Sequence, residues 1–146
     1  MSVDTVPAVR ISRIIRAPRQ AVWDAWTKPE MMKKWSCPVP GGLKGVACDF
    51  RVGGAFELRM EVEEGVRHTA FGVYREIDAP NRVVYTWDWR EQDNAMGDTL
   101  VTVEFNEVDG GTEVVVVHEG FPVLEARDAH EEGWTACVAN FEAIFA

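Results

Sequence analysis

Alternation between apolar and charged residues in the middle of the chain limits the possible folds more than any other feature. In GGAFELRMEVEEG, residues 53–65, apolar side chains at every second position are separated by Glu57, Arg59 and Glu61. Successive side chains of a strand point to opposite faces, so this pattern predicts an antiparallel strand with one wet face. Further strands are predicted in HTAFGVYREI, RVVYTWDWR, TLVTVEFNEV and TEVVVVHEGF.

Other elements flank this strand-rich middle. VRISRII, residues 9–15, is rich in β-branched residues and predicts a first strand. Two short helices are predicted next, in APRQAVWDAWT and PEMMKKW, because Pro18 and Pro29 suit first helical turns. From about Leu124 to Phe145, apolar residues at helical spacing predict a long amphipathic helix. This order is typical of an α+β fold in which helices cover one face of an antiparallel sheet.

Composition and charge argue against several classes of partner. The chain has 146 residues and a formal net charge of -9. This length predicts a single domain over residues 1–146, with residues 1–8 as a flexible tail. Nucleic acid and anionic membranes are not expected as partners, because affinity for both depends on Lys and Arg. We expect a cytoplasmic protein, since no apolar run resembles a signal peptide or a membrane span and the cysteines lack a disulfide spacing.

Three aromatic residues on one strand narrow the choice among functions. Tyr85, Trp87 and Trp89 share one face of the strand RVVYTWDWR, and the opposite face is expected to meet solvent. A stacking surface for nucleic acid would need a basic groove, whereas Asp88 and Glu91 have the opposite charge. The rings are therefore expected inside the protein, either as plain core or as the lining of a pocket.

Two histidines and a cysteine are the candidate reactive groups. His118 is in phase with the strand valines before it, and His130 shares a helical stripe with Cys137. No HxxxH or CxxC spacing supports a metal site, so neither a metal nor a cofactor is expected. No nucleophile–base pair is recognisable, so we expect no catalytic residue. Each histidine is either a hydrogen-bonded structural residue or a polar anchor for a bound carbonyl or carboxylate.

Two further features have alternative interpretations. Gly133 inside the last helix costs about 1 kcal/mol relative to alanine. Local fraying or close approach of a strand backbone would explain it, and packing is favoured over a notch that admits a ligand. Asp49 and Arg51 share a face of the strand before Gly53. A surface ion pair is favoured there over a charged rim in which Arg51 holds an anionic head group.

Several motifs resemble those of the START-like, helix-grip proteins often called SRPBCC: RAPRQAVWDAWTKPEMMKKW, DFRVGGAFELRM, and HEGF followed by HEEGWTACVANFEAI. More narrowly, the chain is similar to the branch related to the C-terminal domain of the activator of Hsp90 ATPase, from about Val9 to Phe145. The resemblance implies a curved antiparallel sheet of about six or seven strands, START/Bet v 1-like, around a long C-terminal helix with an apolar cavity between them. It implies no single activity, because fold alone does not name a reaction.

We therefore expect the cavity to bind a small hydrophobic or aromatic molecule. Its expected lining is Trp35, Phe56, Leu58, Met60, Tyr85, Trp87, Trp89, Val101, Val103, His118, His130, Trp134, Cys137 and Phe141, with Asp49 and Arg51 as a charged rim. The short helices, with Trp23, Trp26, Met31, Met32 and Trp35, are expected to cap one end of the groove. The alternatives are a cyclase or hydrolase that uses the same cavity, and a co-chaperone-like module that binds a protein partner. A homodimer is a further hypothesis.

Overall fold

A computed structural model describes residues 6–39, 41–91 and 95–146. In chain order the elements are β1 (Val9–Ile15), α1 (Arg19–Thr27), α2 (Pro29–Trp35), β2 (Leu43–Cys48), β3 (Ala55–Glu63), β4 (Val66–Asp78), β5 (Arg82–Trp89), β6 (Thr99–Val108), β7 (Gly111–Glu119) and α3 (Leu124–Ile144). Most of the predicted N-terminal tail, residues 1–5, lies outside this description. Within the rest of it, Val6 packs against the core.

The strands form one curved antiparallel sheet in the order β1-β7-β6-β5-β4-β3-β2. Strands β2 to β7 form a meander, and β1 pairs with β7. Helices α1 and α2 carry the chain from β1 at one edge to β2 at the opposite edge. The sequence pattern did not single out β2, because this short strand contains Gly45 and lacks a buried face. Pro18 precedes α1 as its N-cap rather than standing in its first turn.

Alternation places side chains as predicted in β3, where Phe56, Leu58 and Met60 are buried. The central strand β5 differs, because Val84 and Thr86 on its outer face are also buried. The hydroxyl of Thr86 accepts a hydrogen bond from the backbone N–H of Val73 at 2.9 Å. The expectation that this face meets solvent is therefore wrong for these two residues. A central strand has neighbours on both sides, and their side chains cover short residues.

Helix α3 packs against the inner face of the sheet and completes a helix-grip fold. Its buried stripe consists of Trp134, Cys137, Val138 and Phe141. The short helices fill one end of the space beneath it, where the rings of Trp26 and Phe141 lie 5.1 Å apart. Among the described residues, no helix is both long and apolar enough to cross a membrane.

A glycine allows close contact between β4, β5 and β3. An ideal Cβ on Gly72 would lie 1.9 Å from the carbonyl oxygen of Thr86 and 2.8 Å from the ring of Phe56. Neither the backbone of a central strand nor a packed ring can move aside easily. The inner surface of the sheet at this point therefore depends on a residue without a side chain.

We expect Gly72→Ala to lower the free energy of unfolding by about 2 kcal/mol or more, because the added methyl group would overlap a backbone carbonyl. Urea unfolding of the two proteins measures this difference. The same substitution at Gly133, where an added Cβ would meet no atom within 4 Å, is the matched control. A Gly72→Ala protein as stable as the wild type would contradict the close contact.

Candidate ligand cavity

An open cavity of about 520 Å³ lies between the inner face of the sheet and α3. This volume is in the range of small-molecule sites. Its apolar and aromatic lining, here called the cavity wall, includes Trp26, Met32, Trp35, Phe50, Phe56, Leu58, Met60, Val62, Tyr74, Val83, Tyr85, Trp87, Trp89, Met96, Val123, Ala126, Ala129, Trp134 and Cys137. Polar groups on the wall include Thr27, Ser36, His68, Glu125 and His130. A curved sheet and a straight helix leave this space between them.

Most of the residues predicted to line the cavity lie on the wall: Trp35, Phe56, Leu58, Met60, Tyr85, Trp87, Trp89, His130, Trp134 and Cys137. Four others, Val101, Val103, His118 and Phe141, are buried in the core outside the lining. Whether the wall residues hold a ligand stays a prediction.

Solid packing explains why Val101, Val103 and Phe141 are not on the wall. The ring of Phe141 is in edge contact with Trp26 and Trp35, which cover it from the side of the short helices. Val101 and Val103 are completely buried in β6, the strand that α1 packs against. Alternation correctly placed these residues on the inner face, but it carries no information about what lies opposite them.

Asp49 and Arg51 lie in the turn between β2 and β3 and not in a strand. Their side chains are mostly exposed and form an ion pair with an Nε to Oδ2 distance of 2.8 Å. Neither residue is on the cavity wall, although Phe50 between them is. The geometry agrees with the surface ion pair and contradicts the charged rim.

Some wall residues on β4 and on the first half of α3 are not in the lining predicted from the sequence. Tyr74 faces inward in β4, in phase with Ala70 and Gly72, so alternation within that strand was a usable signal. On α3 the wall includes Ala126, Ala129 and Gly133 at spacings of three and four. These small side chains leave the cavity open beside the bulky rings of the sheet.

Gly133 leaves empty space and makes no close backbone contact. A Cβ added there would meet no atom within 4 Å, and the residue lies on the cavity wall. The favoured interpretation, close approach of a strand backbone, is therefore wrong. A notch in the helix agrees with the geometry.

Two histidines beside the cavity each accept a hydrogen bond from an indole. Trp134 Nε1 donates to His118 Nδ1 at 2.9 Å, and Trp89 Nε1 donates to His130 Nε2 at 2.9 Å. The remaining nitrogen of His118 lies 2.7 Å from the hydroxyl of Thr99, which donates to a backbone carbonyl in β5. Because Nδ1 of His118 accepts, its proton is on Nε2 and points to Thr99.

Both imidazoles are therefore held in their neutral form. Burial, with a smaller contribution from the neighbouring His130, lowers the pKa of His118 to about 3. Burial also lowers the pKa of His130, whose Nδ1 lies 2.7 Å from the carbonyl oxygen of Ala126. Since both nitrogens of each ring have partners inside the protein, the geometry supports the structural interpretation of these histidines over the polar anchor.

The comparisons with known proteins agree with this geometry. The sequence model of the family described as Activator of Hsp90 ATPase homolog 1-like protein matches residues 16–146. The chain belongs to this family.

Solved structures of similar fold come from several bacteria. A protein of Nitrosomonas europaea is 24% identical with a TM-score of 0.80, and the match covers 97% of this chain and 96% of that one. A Rhizobium leguminosarum protein is 23% identical with a TM-score of 0.82, covering 94% and 93%. The AHSA1-like protein of Aeromonas hydrophila is 23% identical with a TM-score of 0.74, covering 93% and 90%. These identities show the fold alone. Among curated proteins no sequence matches.

The cysteine and the two histidines near the cavity of this AHSA1-like protein have low chemical reactivity. Burial raises the pKa of the Cys137 thiol to about 12, so it stays protonated at neutral pH and is a weak nucleophile. The imidazoles of His118 and His130 already have hydrogen-bond partners. In the part of the chain that the structure describes, no cluster of three His, Cys, Asp or Glu residues could hold a metal ion.

We expect Gly133→Ala to raise the free energy of unfolding by up to about 1 kcal/mol, because alanine is the better helix former and the methyl group enters empty space. Thermal unfolding measures this effect. Ala139→Gly, at an exposed position of the same helix, should lower stability by a similar amount. Loss of stability in Gly133→Ala would contradict the notch.

The neutral state of His118 predicts a pH dependence of stability. The unfolded chain binds a proton near pH 6.5, whereas the folded protein does not bind it until about pH 3. The contribution of neutral His118 to the free energy of unfolding is therefore fully present above pH 6.5 and is lost as the pH falls below that value. Between pH 7.5 and 5.5 this single group should lower the free energy of unfolding by about 1.4 kcal/mol.

The test compares wild type with His118→Gln in urea unfolding at pH 7.5, 6.5 and 5.5. Glutamine does not titrate, so the wild type should lose more stability than the variant as the pH falls. The carboxylates titrate in both proteins and cancel in the comparison. Equal losses in the two proteins would show that His118 does not stay neutral in the folded state.

Proposed function

We propose that this protein binds a small hydrophobic or aromatic molecule in the cavity between the sheet and α3. The observation that carries the proposal is the open cavity of about 520 Å³ with its aromatic wall. Apolar surface of a ligand that moves from water into such a site contributes about 25 cal/mol of favourable free energy per Å². Aromatic rings add favourable edge and stacking contacts with flat ligands.

The energetic cost of an empty cavity supports the same proposal. Protein interiors are close-packed, and voids larger than a water molecule reduce stability. This chain keeps a large opening, and it keeps Gly133 in a helix although alanine would fit. Residues that reduce stability without a packing reason are typical of sites selected for binding.

Catalysis in this cavity, by a cyclase or hydrolase mechanism, has less support. A nucleophilic mechanism needs an activated group beside a base. Cys137 is protonated because of its burial. His118 has partners on both nitrogens, which leaves neither free for substrate. We therefore propose a binding protein rather than an enzyme.

The family description favours one second candidate function, that of a co-chaperone acting on an Hsp90-type ATPase. Val123 and Leu124, at the start of α3, expose more than half of their surface and offer an apolar contact for a protein partner. The test is the ATPase rate of the Hsp90 of the same host with and without this protein. An unchanged rate at saturating protein would exclude this candidate.

We also propose a cytoplasmic location. Cys37, Cys48 and Cys137 are free thiols, and disulfides rarely persist in reducing compartments. Immunodetection in fractionated host cells tests this proposal.

Ligand binding is tested by equilibrium dialysis with small aromatic compounds, using naphthalene as the simplest probe. We expect wild type to bind naphthalene, and Gly133→Leu to bind it roughly tenfold more weakly, because the leucine side chain fills the notch. Ala139→Leu adds a side chain to the exposed face of the same helix and is the matched control. Equal affinity of the two variants would place the binding site elsewhere.

Native mass spectrometry of protein purified from its own host complements this test. A copurified small molecule that is lost from Gly133→Leu and kept by Ala139→Leu would give the natural ligand class directly. Host-derived protein without bound mass, together with no binding of any aromatic probe, would contradict the proposed function.

A further inference from the structure

We infer that the cavity selects an uncharged aromatic ligand whose carbonyl or ether oxygen accepts a hydrogen bond from the indole N–H of Trp87, and that it rejects carboxylates. This inference rests on the proposed function and adds the chemical class of the ligand. It depends on two independent observations, one unpaired donor and the distribution of charge.

The first observation concerns the tryptophans of the cavity wall. Trp35 donates to the backbone carbonyl of Ala25 at 2.9 Å, and Trp26 bonds to the hydroxyl of Tyr85. Trp89 and Trp134 donate to histidines, as described above. The protein therefore supplies an acceptor to each of these four indoles.

Trp87 is the exception. Its side chain is 7% exposed, and its Nε1 has no hydrogen-bond partner among the described residues. Its ring lies 5.6 Å from Trp89, 5.7 Å from Trp134 and 6.1 Å from Phe56, measured between centroids. A buried donor without an acceptor is unfavourable, so a ligand that supplies one gains affinity that a pure hydrocarbon cannot gain.

Trp87 is also well placed to meet a ligand. It points inward from the centre of the sheet and lies on the cavity wall opposite α3. Its N–H is covered in the empty cavity. A ligand oxygen therefore reaches it when one of the covering side chains adopts another rotamer. Side-chain changes of this kind are common on binding and need no change of the backbone.

The second observation concerns charge. The described residues of the cavity wall include no Lys or Arg, and the charged group among them is Glu125. None of the undescribed residues, 1–5, 40 and 92–94, is Lys or Arg either. His118 and His130 are neutral because of their burial and their indole donors.

A carboxylate would therefore enter this site without a Lys or Arg partner. Removing a charged group from water without such a partner is strongly unfavourable. The formal net charge of -9 adds a long-range repulsion. An uncharged ligand avoids both effects. Fatty acids and aromatic acids are accordingly excluded in their ionised forms.

Three probes that share one ring system test the inference by equilibrium dialysis: naphthalene, 2-acetylnaphthalene and 2-naphthoate. The measurements are made at pH 8. In the wild type we expect the ketone to bind roughly threefold to tenfold more tightly than naphthalene. The carboxylate should bind at least about tenfold more weakly than the ketone.

Trp87→Phe removes the N–H and keeps an aromatic ring. Because the smaller ring also changes the cavity wall, the ketone is compared with naphthalene within the same variant, so that a general change of affinity cancels. Its preference for the ketone over naphthalene should disappear. If the variant does not fold, the order of the three probes in the wild type still tests the inference.

The outcomes separate the inference from the proposed function. Binding of naphthalene without a preference for the ketone, an unchanged preference in Trp87→Phe, or tight binding of 2-naphthoate would each overturn the inference and leave the binding function intact. Failure of all three probes to bind would contradict the proposed function, and the inference would fall with it.

Discussion

The hydrogen bond from the indole of Trp134 to His118 fixes the distance between α3 and the sheet, and the cavity depends on that distance. The other ring nitrogen of His118 is hydrogen-bonded to the hydroxyl of Thr99, which in turn donates to the backbone of β5. One polar chain thus ties the helix to three adjacent strands. Fully paired polar networks of this kind make a buried arrangement rigid and specific. The helix is therefore held at a fixed distance from β5, and the space between the two stays open.

Side-chain size along the helix then decides where this space lies. Toward its C-terminus α3 carries Phe141, whose ring fills the interior against Trp26 and Trp35. In its first half the inward positions include Ala126, Ala129 and Gly133. The same sheet is consequently packed solid at one end of the helix and hollow at the other. The C-terminal half of α3 therefore contributes to packing, and its first half leaves space for a ligand.

Local pattern in the sequence determines which side chains of an element face the core. For most strands and helices here, it predicted these inward faces. Strands β3 to β7 of the meander, both short helices and the final helix follow from alternation, helical spacing and proline placement. The difference between core and cavity is not local, because Val101 and Phe56 both face inward and differ only in what lies opposite them. The partner of His118 is likewise set by the fold, since Trp134 follows it by 16 residues on another element.

The indoles of the cavity wall form a continuous series. Trp35, Trp26, Trp134, Trp87 and Trp89 follow one another with ring centroids 4.2, 6.1, 5.7 and 5.6 Å apart. Indoles this close couple their strong far-ultraviolet transitions and transfer excitation energy to one another. The far-ultraviolet circular dichroism of the folded protein should therefore carry paired bands of opposite sign from the indoles. Light absorbed by one indole can be emitted by another.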